Sequence, residues 1–506
     1  MFIHNLRTLK DSNRTAVHDG TNAMSYRTFW ERSEAVALYL LDKYGTSKEP
    51  VAIYGDKEND MLPSIFGILK SGRAYVVLPS YYPTHRISSI LEDCKAKVIL
   101  NPHSERFPSD GYDIKMSADI DELVNTWHGQ EADESNYVKG NDDACLVYTS
   151  GSTGTPKGVR ISYNNIKSRI GQMHKVIAPA LPDEDIRTVM FSSYAFSASF
   201  YNVYYMFATA HVTLYGFSKR IVHDHATLME HLRNIQPHTM AGTPSMIRRL
   251  LTSPEFSSDA FPSLALISMG GEPMSKELAA TVKERFPRLR LLNIYGMSEL
   301  ASGPMVCVIT DEMLKSDQTV MPIGQPMEGV QISLVDENGG EITDENATGE
   351  LVVTGDCVSN GYLNREELTA SVFFETEDKK RGYRAGDIVR RENGLYYFVG
   401  RKDNRIKIGG NRIELEDIEA NMKQLDIVAD CAVTVKEQPT ASLVAFVVKA
   451  DEMVSNIAAV LAIKNGLKER VESHMIPQKI VFVEELPKNI NFKVDRVALR
   501  KRANEE

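Results

Sequence analysis

The sequence predicts an α/β fold: a large N-terminal domain of layered α/β sheets plus a β-rich subdomain, with a small mobile α+β C-terminal domain. Three observations predict it. Strand-like apolar runs alternate with helical patterns through much of the chain, the texture of parallel sheets layered with helices. After about residue 320 the texture changes to short strands and turns. Beyond Lys402 comes a short stretch of mixed helix and strand, roughly 100 residues and so the size of a separate small domain.

Taken in order, Val51 to Tyr54 reads as a short strand, Asp60 to Ser71 as a helix closed by Gly72, and Ala74 to Leu78 as the next strand. Val98 to Leu100, Thr188 to Phe191 and Leu264 to Ser268 read as further strands, with helical stretches such as Ser275 to Phe286 between them. In such layers ligands sit beyond the carboxyl ends of the strands. The β-rich part comprises Gln331 to Val335, the turn Asp336-Glu-Asn-Gly339, Gly349 to Thr354 and Gly394 to Val399. In the C-terminal part a helix is expected from about Glu414 to Lys423, and strands near Cys431 to Val435 and Leu443 to Val448. The expected domains are 1–402 and 403–506.

With 506 residues, 42% hydrophobic and 25% charged, the chain matches a folded globular protein, which excludes a disordered or fibrous one. Lys plus Arg number 58 against 68 Asp plus Glu, a formal charge of −10. That balance argues against a generic binder of nucleic acid or anionic membrane, both of which reward surplus cations. The five cysteines lie far apart, without the close spacing of a zinc or redox motif, and the N-terminus lacks the apolar run of a signal peptide. A cytoplasmic location is expected. Between Thr188 and Ser218 no Asp, Glu, Lys or Arg occurs. Serines, Asn202, His211 and tyrosines interrupt this stretch, whereas a membrane span needs about 20 mainly apolar residues. Buried core beside a cleft is the better reading.

The most informative segment is Tyr148-Thr-Ser-Gly-Ser-Thr-Gly-Thr-Pro-Lys-Gly158, after the apolar run Ala144 to Val147. Its glycines let the backbone turn tightly and present N–H groups to anionic oxygens. Thr149, Ser150, Ser152 and Thr153 add hydroxyls, and Lys157 adds charge. This is phosphate-binding chemistry, although Pro156 before Lys157 and Gly158 after it break the Walker pattern. A short Gly/Ser string is by itself an ordinary loop; ten consecutive residues of this type are far more specific.

Together with Asn293-Ile-Tyr-Gly-Met-Ser-Glu299, Gly349-Glu-Leu351, Gly361-Tyr362, Tyr383-Arg-Ala-Gly-Asp387, Gly400-Arg-Lys-Asp403, Lys407-Ile-Gly-Gly-Asn-Arg-Ile-Glu-Leu415 and Asn491-Phe-Lys-Val-Asp-Arg496, this loop resembles the motif series of the adenylate-forming enzymes. These include acyl-CoA ligases, luciferases and adenylation domains of peptide synthetases. The resemblance covers nearly the whole chain. Leu69-Lys-Ser-Gly-Arg-Ala-Tyr-Val76 and the Asp495-Arg496 ending resemble the amino-acid-activating branch, and the freestanding length is similar to that of D-alanine–carrier protein ligases.

The resemblance implies ATP and Mg²⁺ as cofactors and a two-step reaction. A substrate carboxylate attacks the α-phosphorus of ATP, then a phosphopantetheine thiol on a carrier protein acting in trans, or on coenzyme A, displaces AMP. Fixed cations and donors lower the barrier where charge gathers on phosphate. By resemblance, Thr149, Ser150, Gly151, Ser152, Thr153, Gly154 and Lys157 hold phosphate, and Glu299 helps to hold Mg²⁺. Ser298 contacts the α-phosphate, Asn293 and Tyr295 serve the adenine, and Asp387 and Arg401 the ribose. Lys493 bridges carboxylate and phosphate, Asp403 is the hinge, and Gly409-Gly410 either approaches the thiol or is only a hairpin turn. Met297, Ser298 and Phe492 replace the family's commoner Pro, Thr and Gly.

The acid pocket implied by the resemblance is Ser197, Ala198, Tyr201, Ala241, Ser268, Gly270, Ile294, Ser302 and Gly303, mostly small and uncharged. Enzymes activating α-amino acids mostly carry Asp where Ser197 stands. A buried ammonium without a counter-charge costs several kcal/mol. The substrate is therefore either an aryl or acyl acid without an α-ammonium or an amino acid held atypically. D-alanine–carrier protein ligase, acyl-CoA ligase and a catalytically silent binding homologue are the alternatives.

Overall fold

The computed structural model describes residues 2–505 except 104–106, 109–110, 150–155, 184, 209–210, 403–404, 437–440, 452 and 488–493. The chain forms two compact units. One is Met1–Ser80, Cys94–Val147 and Gly158–Lys402; the other is Tyr81–Asp93, Tyr148–Lys157 and Asp403–Glu506.

In the first unit a six-stranded sheet runs Asp113–Met116, Val98–Asn101, Val51–Gly55, Tyr75–Pro79, Asp143–Thr149 and Lys157–Ser162, its last turnings shared with the second unit. Every residue of Val51–Gly55 and Tyr75–Pro79 is buried, as parallel strands covered on both faces must be. The helix between them, Met61–Lys70, is buried along its length and packs against Tyr26–Tyr44. Gly67 permits that approach: a Cβ there would lie 2.6 Å from the Val36 side chain and 2.7 Å from Ser33 O. Lys70 ends the helix inside the protein, 2.7 Å from Glu34 and 3.3 Å from the Trp30 ring centroid.

A nine-stranded sheet is ordered Gln325–Pro326, Met305–Val308, Arg290–Tyr295, Leu266–Gly270, Thr239–Gly242, Ile186–Met190, Val212–Gly216, Thr15–His18, Ala23–Ser25. The six strands from Arg290–Tyr295 to Thr15–His18 are parallel, with antiparallel strands at both edges. Alternation assigns the faces: Met190, Leu266 and Leu292 join one apolar core, Val189, Met240, Ile267 and Leu291 the other. The uncharged stretch folds into Ile186–Met190, the helix Phe200–Ala208 and Val212–Gly216. Among the described residues no helix is long and apolar enough to cross a membrane. The strand expected from Leu264 starts at Leu266, because Leu264 N closes a turn onto Phe261 O at 3.1 Å.

The β-rich part is a five-stranded antiparallel sheet of Val330–Val335, Ala347–Gly355, Arg381–Glu392, Phe373–Glu375 and Leu395–Arg401. In the second unit Val428–Lys436, Ser442–Lys449 and Lys479–Phe482 form a three-stranded sheet. Helices Leu415–Met422 and Asn456–Lys468 bury Ile418, Met422, Ile463 and Leu467 in one core with Val433, Leu443 and Val447 of its strands. Leu499 and Ala503 of the terminal helix Arg496–Glu505 pack with Phe446. Arg405–Ile408 and Asn411–Glu414 make a hairpin turned by Gly409 (φ +59°) and Gly410 (φ +77°). Two successive positive φ values are what a type I′ turn requires and what glycine supplies without strain.

Candidate active site

Strand register brings the expected pocket residues together. Ala241 pairs with Ser268, and Ser268 with Leu292; two residues on, Gly270 pairs with Ile294. Laterally paired residues of parallel strands share a face, so Ala241, Ser268, Gly270 and Ile294 line one face at the carboxyl ends of three adjoining strands. Gly270 is flush by necessity, since a Cβ there would sit 2.8 Å from Ile294 O. Among the described residues Ser268 Oγ is buried without a hydrogen-bond partner, which leaves it able to take one from a ligand.

After Arg290–Tyr295 the chain turns through Ser298–Leu300 and then holds three consecutive left-handed residues: Ala301 (φ +46°), Ser302 (φ +63°) and Gly303 (φ +72°). Strain of this kind is kept where surrounding packing dictates it. The enforcing contact is Gly296 against Gly303, where a Cβ on Gly296 would lie 2.3 Å from Gly303 N. Met297 adopts φ −148°, a value closed to the proline common at that place. Ser298 Oγ lies 3.3 Å from Ser197 Oγ, in the short turn Ser197–Ser199 that also carries Ala198. Tyr201 follows on the helix Phe200–Ala208, half-buried against the same core.

Asp387, on Arg381–Glu392, is buried and held from two sides. Tyr295 donates its hydroxyl to Oδ2 at 2.5 Å, Arg401 pairs with Oδ1, and Arg401 Nη2 reaches Ala385 O at 3.0 Å. Asn293 donates to Pro322 O at 2.8 Å. Glu299 is wholly buried, and Tyr362 donates to its Oε1 at 2.8 Å. Tyr362 belongs to the Gly361-Tyr362 motif, to which the sequence attaches no role, and its hydroxyl orients the carboxylate that the resemblance expects at the metal. Among the described residues no three His, Cys, Asp or Glu cluster to hold a metal ion. A single buried carboxylate suits Mg²⁺, which takes one or two carboxylates plus substrate phosphates.

In the second unit, Thr149 Oγ1 is buried without a hydrogen-bond partner among the described residues, a donor that fits a phosphate oxygen. Lys157 Nζ contacts Glu414 Oε1 at 2.9 Å, both side chains buried. Nothing in the sequence marked Glu414 as its partner; only the fold joins residues so far apart in the chain. Ser150, Gly151, Ser152, Thr153, Gly154, Asp403 and Lys493 lie outside the described residues.

Comparison with known proteins agrees with this arrangement. The family model described as AMP-binding enzyme matches residues 7–363, and that for the AMP-binding enzyme C-terminal domain matches residues 417–493. The chain is 32% identical over 480 residues to a D-alanine–D-alanyl carrier protein ligase of Lactiplantibacillus plantarum, covering 94% of this chain and 93% of the relative. To the ligase of the same name from Bacillus licheniformis it is 30% identical over 481 residues, 94% of each. Among solved structures it superposes on o-succinylbenzoate CoA synthetase from Bacillus subtilis with TM-score 0.83 at 20% identity, covering 99% of this chain and 98% of that one. An adenylation domain from Vibrio cholerae bound to glycyl-adenosine-5′-phosphate gives TM-score 0.82 at 22% identity, covering 100% and 98%. The structural likenesses show the fold, and the family matches show descent: this chain belongs to the AMP-binding enzymes, the adenylate-forming ligases.

Proposed function

We propose that the enzyme activates a carboxylic acid lacking an α-ammonium, aryl or acyl in character, and passes it to the phosphopantetheine thiol of a carrier protein acting in trans. The observation that carries this reading is the 3.3 Å contact of Ser197 with Ser298. The position that reads the acid is thus one hydrogen bond from the hydroxyl assigned to the α-phosphate, and it carries no charge to meet an ammonium.

In the first step a carboxylate oxygen of the acid bonds to the α-phosphorus and pyrophosphate leaves. Ser298 steadies the α-phosphate, and Lys493 bridges it to the carboxylate. Asp387, oriented by Tyr295 and Arg401, accepts from the ribose hydroxyls, since two carboxylate oxygens match a vicinal diol. Asn293 and Tyr295 flank the base, while Thr149, Lys157 and the loop between them hold the outer phosphates. Glu299 would hold the Mg²⁺ that enters with ATP, which would supply positive charge to the phosphate oxygens. Residues 1–402 act as the body and 403–506 as a cap turning about Asp403, bringing Lys493 in for the first step and the Gly409-Gly410 turn for the second. The thiolate then attacks the acyl carbonyl and AMP departs.

A second reading, D-alanine–carrier protein ligase, is favoured by the names of the curated relatives. Pyrophosphate exchange against a panel of aryl, acyl and amino acids separates the two. Strong exchange with D-alanine and none with acids lacking the ammonium overturns the first. Supplying coenzyme A or a phosphopantetheinylated carrier as acceptor then identifies the second step.

A further inference from the structure

The uncharged stretch that carries the acid pocket is gripped by a cation from elsewhere. Lys57 follows the strand Val51–Gly55 of the six-stranded sheet, and its side chain is buried against the other sheet. Its ammonium donates to the carbonyl of Ser192 and lies 4.3 Å from the centroid of the Tyr194 ring, which is also buried. Among the described residues no carboxylate forms an ion pair with it: the neighbouring Asp56 accepts from Lys219 N at 3.2 Å, and Glu58 is engaged by Asp56 N at 2.7 Å and by His103. A lysine removed from water in this way is retained at a cost, so its contacts have to justify the place.

Those contacts all fall on the path to the pocket. Ser192 lies just past Ile186–Met190, and a turn in which Phe196 N donates to Ser193 O at 3.1 Å leads straight into Ser197. The stem of Lys57 rests over Gly216, where a Cβ would meet Lys57 Cδ at 3.3 Å and the Tyr194 hydroxyl at 3.5 Å. Gly216 is paired with Met190, Met190 with Ala241, and Ala241 with Ser268. Lys57 therefore lies over the same sheet face as the pocket, two strands from Ala241, or about 10 Å at the usual strand spacing.

We propose that Lys57 is a positioning residue for acid recognition, holding the segment 192–197 so that Ser197 is presented to the substrate. The proposal rests on the acid-activating reading above. Its chemistry is that of a buried cation bound to a main-chain carbonyl and an aromatic face, contacts that methionine of similar length cannot make and arginine can.

The test compares Lys57→Met, Lys57→Arg and Gly216→Val with the wild type in pyrophosphate exchange, varying ATP and the best acid of the panel separately. The expected result is a roughly tenfold rise in the KM for the acid in Lys57→Met, the size of one lost charged hydrogen bond, with the KM for ATP unchanged. Lys57→Arg should recover most of the loss, and Gly216→Val, which displaces the stem without touching the charge, should reproduce it. An unchanged acid KM in Lys57→Met, or equal rises in both KM values, overturns the proposal. Amide hydrogen exchange supplies an arm independent of activity: residues 192–197 should exchange faster in Lys57→Met and near wild-type rates in Lys57→Arg, and identical exchange in all three overturns it. If no acid supports exchange in the wild type, the acid-activating reading fails, while the amide arm still decides whether Lys57 holds the segment.

Discussion

Tyr295 donates its hydroxyl to Asp387 Oδ2 at 2.5 Å, while Arg401 takes the other oxygen, so the carboxylate assigned to the ribose is oriented before any nucleotide arrives. Preorganisation of this sort saves ordering cost on binding. Tyr295→Phe keeps the ring and removes only the donor. The KM for ATP should rise about tenfold, the loss of a hydrogen bond to a charged group, with the acid KM unmoved. ATP titration of pyrophosphate exchange checks it; an unchanged value would mean that Arg401 alone sets the carboxylate.

In the proposed function, Ser197 is the position at which a charge would separate substrate classes. Ser197→Asp puts a carboxylate beside Ser298 in a buried site, 6% exposed in the wild type. Without a counter-ion this should destabilise the protein by about 1–3 kcal/mol. An α-amino acid supplies that counter-ion. Exchange with the best ammonium-free acid should fall and exchange with alanine or glycine should rise, and a thermal melt with and without the amino acid should show the new ligand restoring stability.

Much of this was legible in the sequence because short-range physics wrote it. Runs such as Val51–Gly55 are buried on both faces and so apolar throughout, and the helix Met61–Lys70 ends where Gly72 takes φ +80°. Asp60 marked the start of that helix, yet it makes no capping bond, because its carboxylate is taken by Arg32. What stayed hidden depends on distant partners. The strand Thr15–His18 joins the nine-stranded sheet by pairing Val17 with Leu214 on one side and with Met24 on the other. Tyr362 reaches Glu299 and Lys157 reaches Glu414 only once sheets and hairpin have formed. Register is likewise invisible locally, although it alone sets Ala241 beside Ser268.

Asp417 makes stability depend on pH. Burial, above the opposing influence of Arg86, raises its carboxyl from 3.8 to about 7. The folded state then holds a proton that the unfolded chain releases near pH 4, so stability falls as pH rises from about 4 to 7 and levels off beyond. The span is on the order of a few kcal/mol. Asp417→Asn keeps the oxygen that accepts from Asn421 at 3.0 Å and removes the titration. Denaturant melts of the variant should lose this slope and gain stability at pH 8; an unaltered pH profile would place the titrating group elsewhere.

The Lys157–Glu414 pair, 2.9 Å apart and buried, ties Lys157, at the end of the glycine-rich sequence, to the hairpin of Arg405–Ile408 and Asn411–Glu414. Lys157→Met and Glu414→Gln should each destabilise the protein, and the double variant should cost less than the sum, leaving a coupling of about 1–3 kcal/mol. Urea melts of the four proteins measure it. Strict additivity would show that the two side chains do not depend on one another in solution.

Arg496 and Lys493 stand three residues apart and should behave oppositely. Arg496 forks onto Glu419 with two contacts of 2.8 Å and reaches Val433 O at 3.0 Å, fastening the terminal helix to the sheet of the second unit. A bidentate guanidinium on a carboxylate is one of the stronger side-chain contacts, and lysine cannot reproduce the fork. Arg496→Lys should therefore lower stability by about 2 kcal/mol, and it should impair adenylation as far as the fastening of the preceding segment matters. Lys493→Ala, if that ammonium bridges carboxylate and α-phosphate, should abolish acid-dependent pyrophosphate exchange while leaving the melting temperature in place. Measuring both quantities on both variants separates a chemical group from its anchor. Exchange that survives Lys493→Ala undiminished would remove Lys493 from the mechanism.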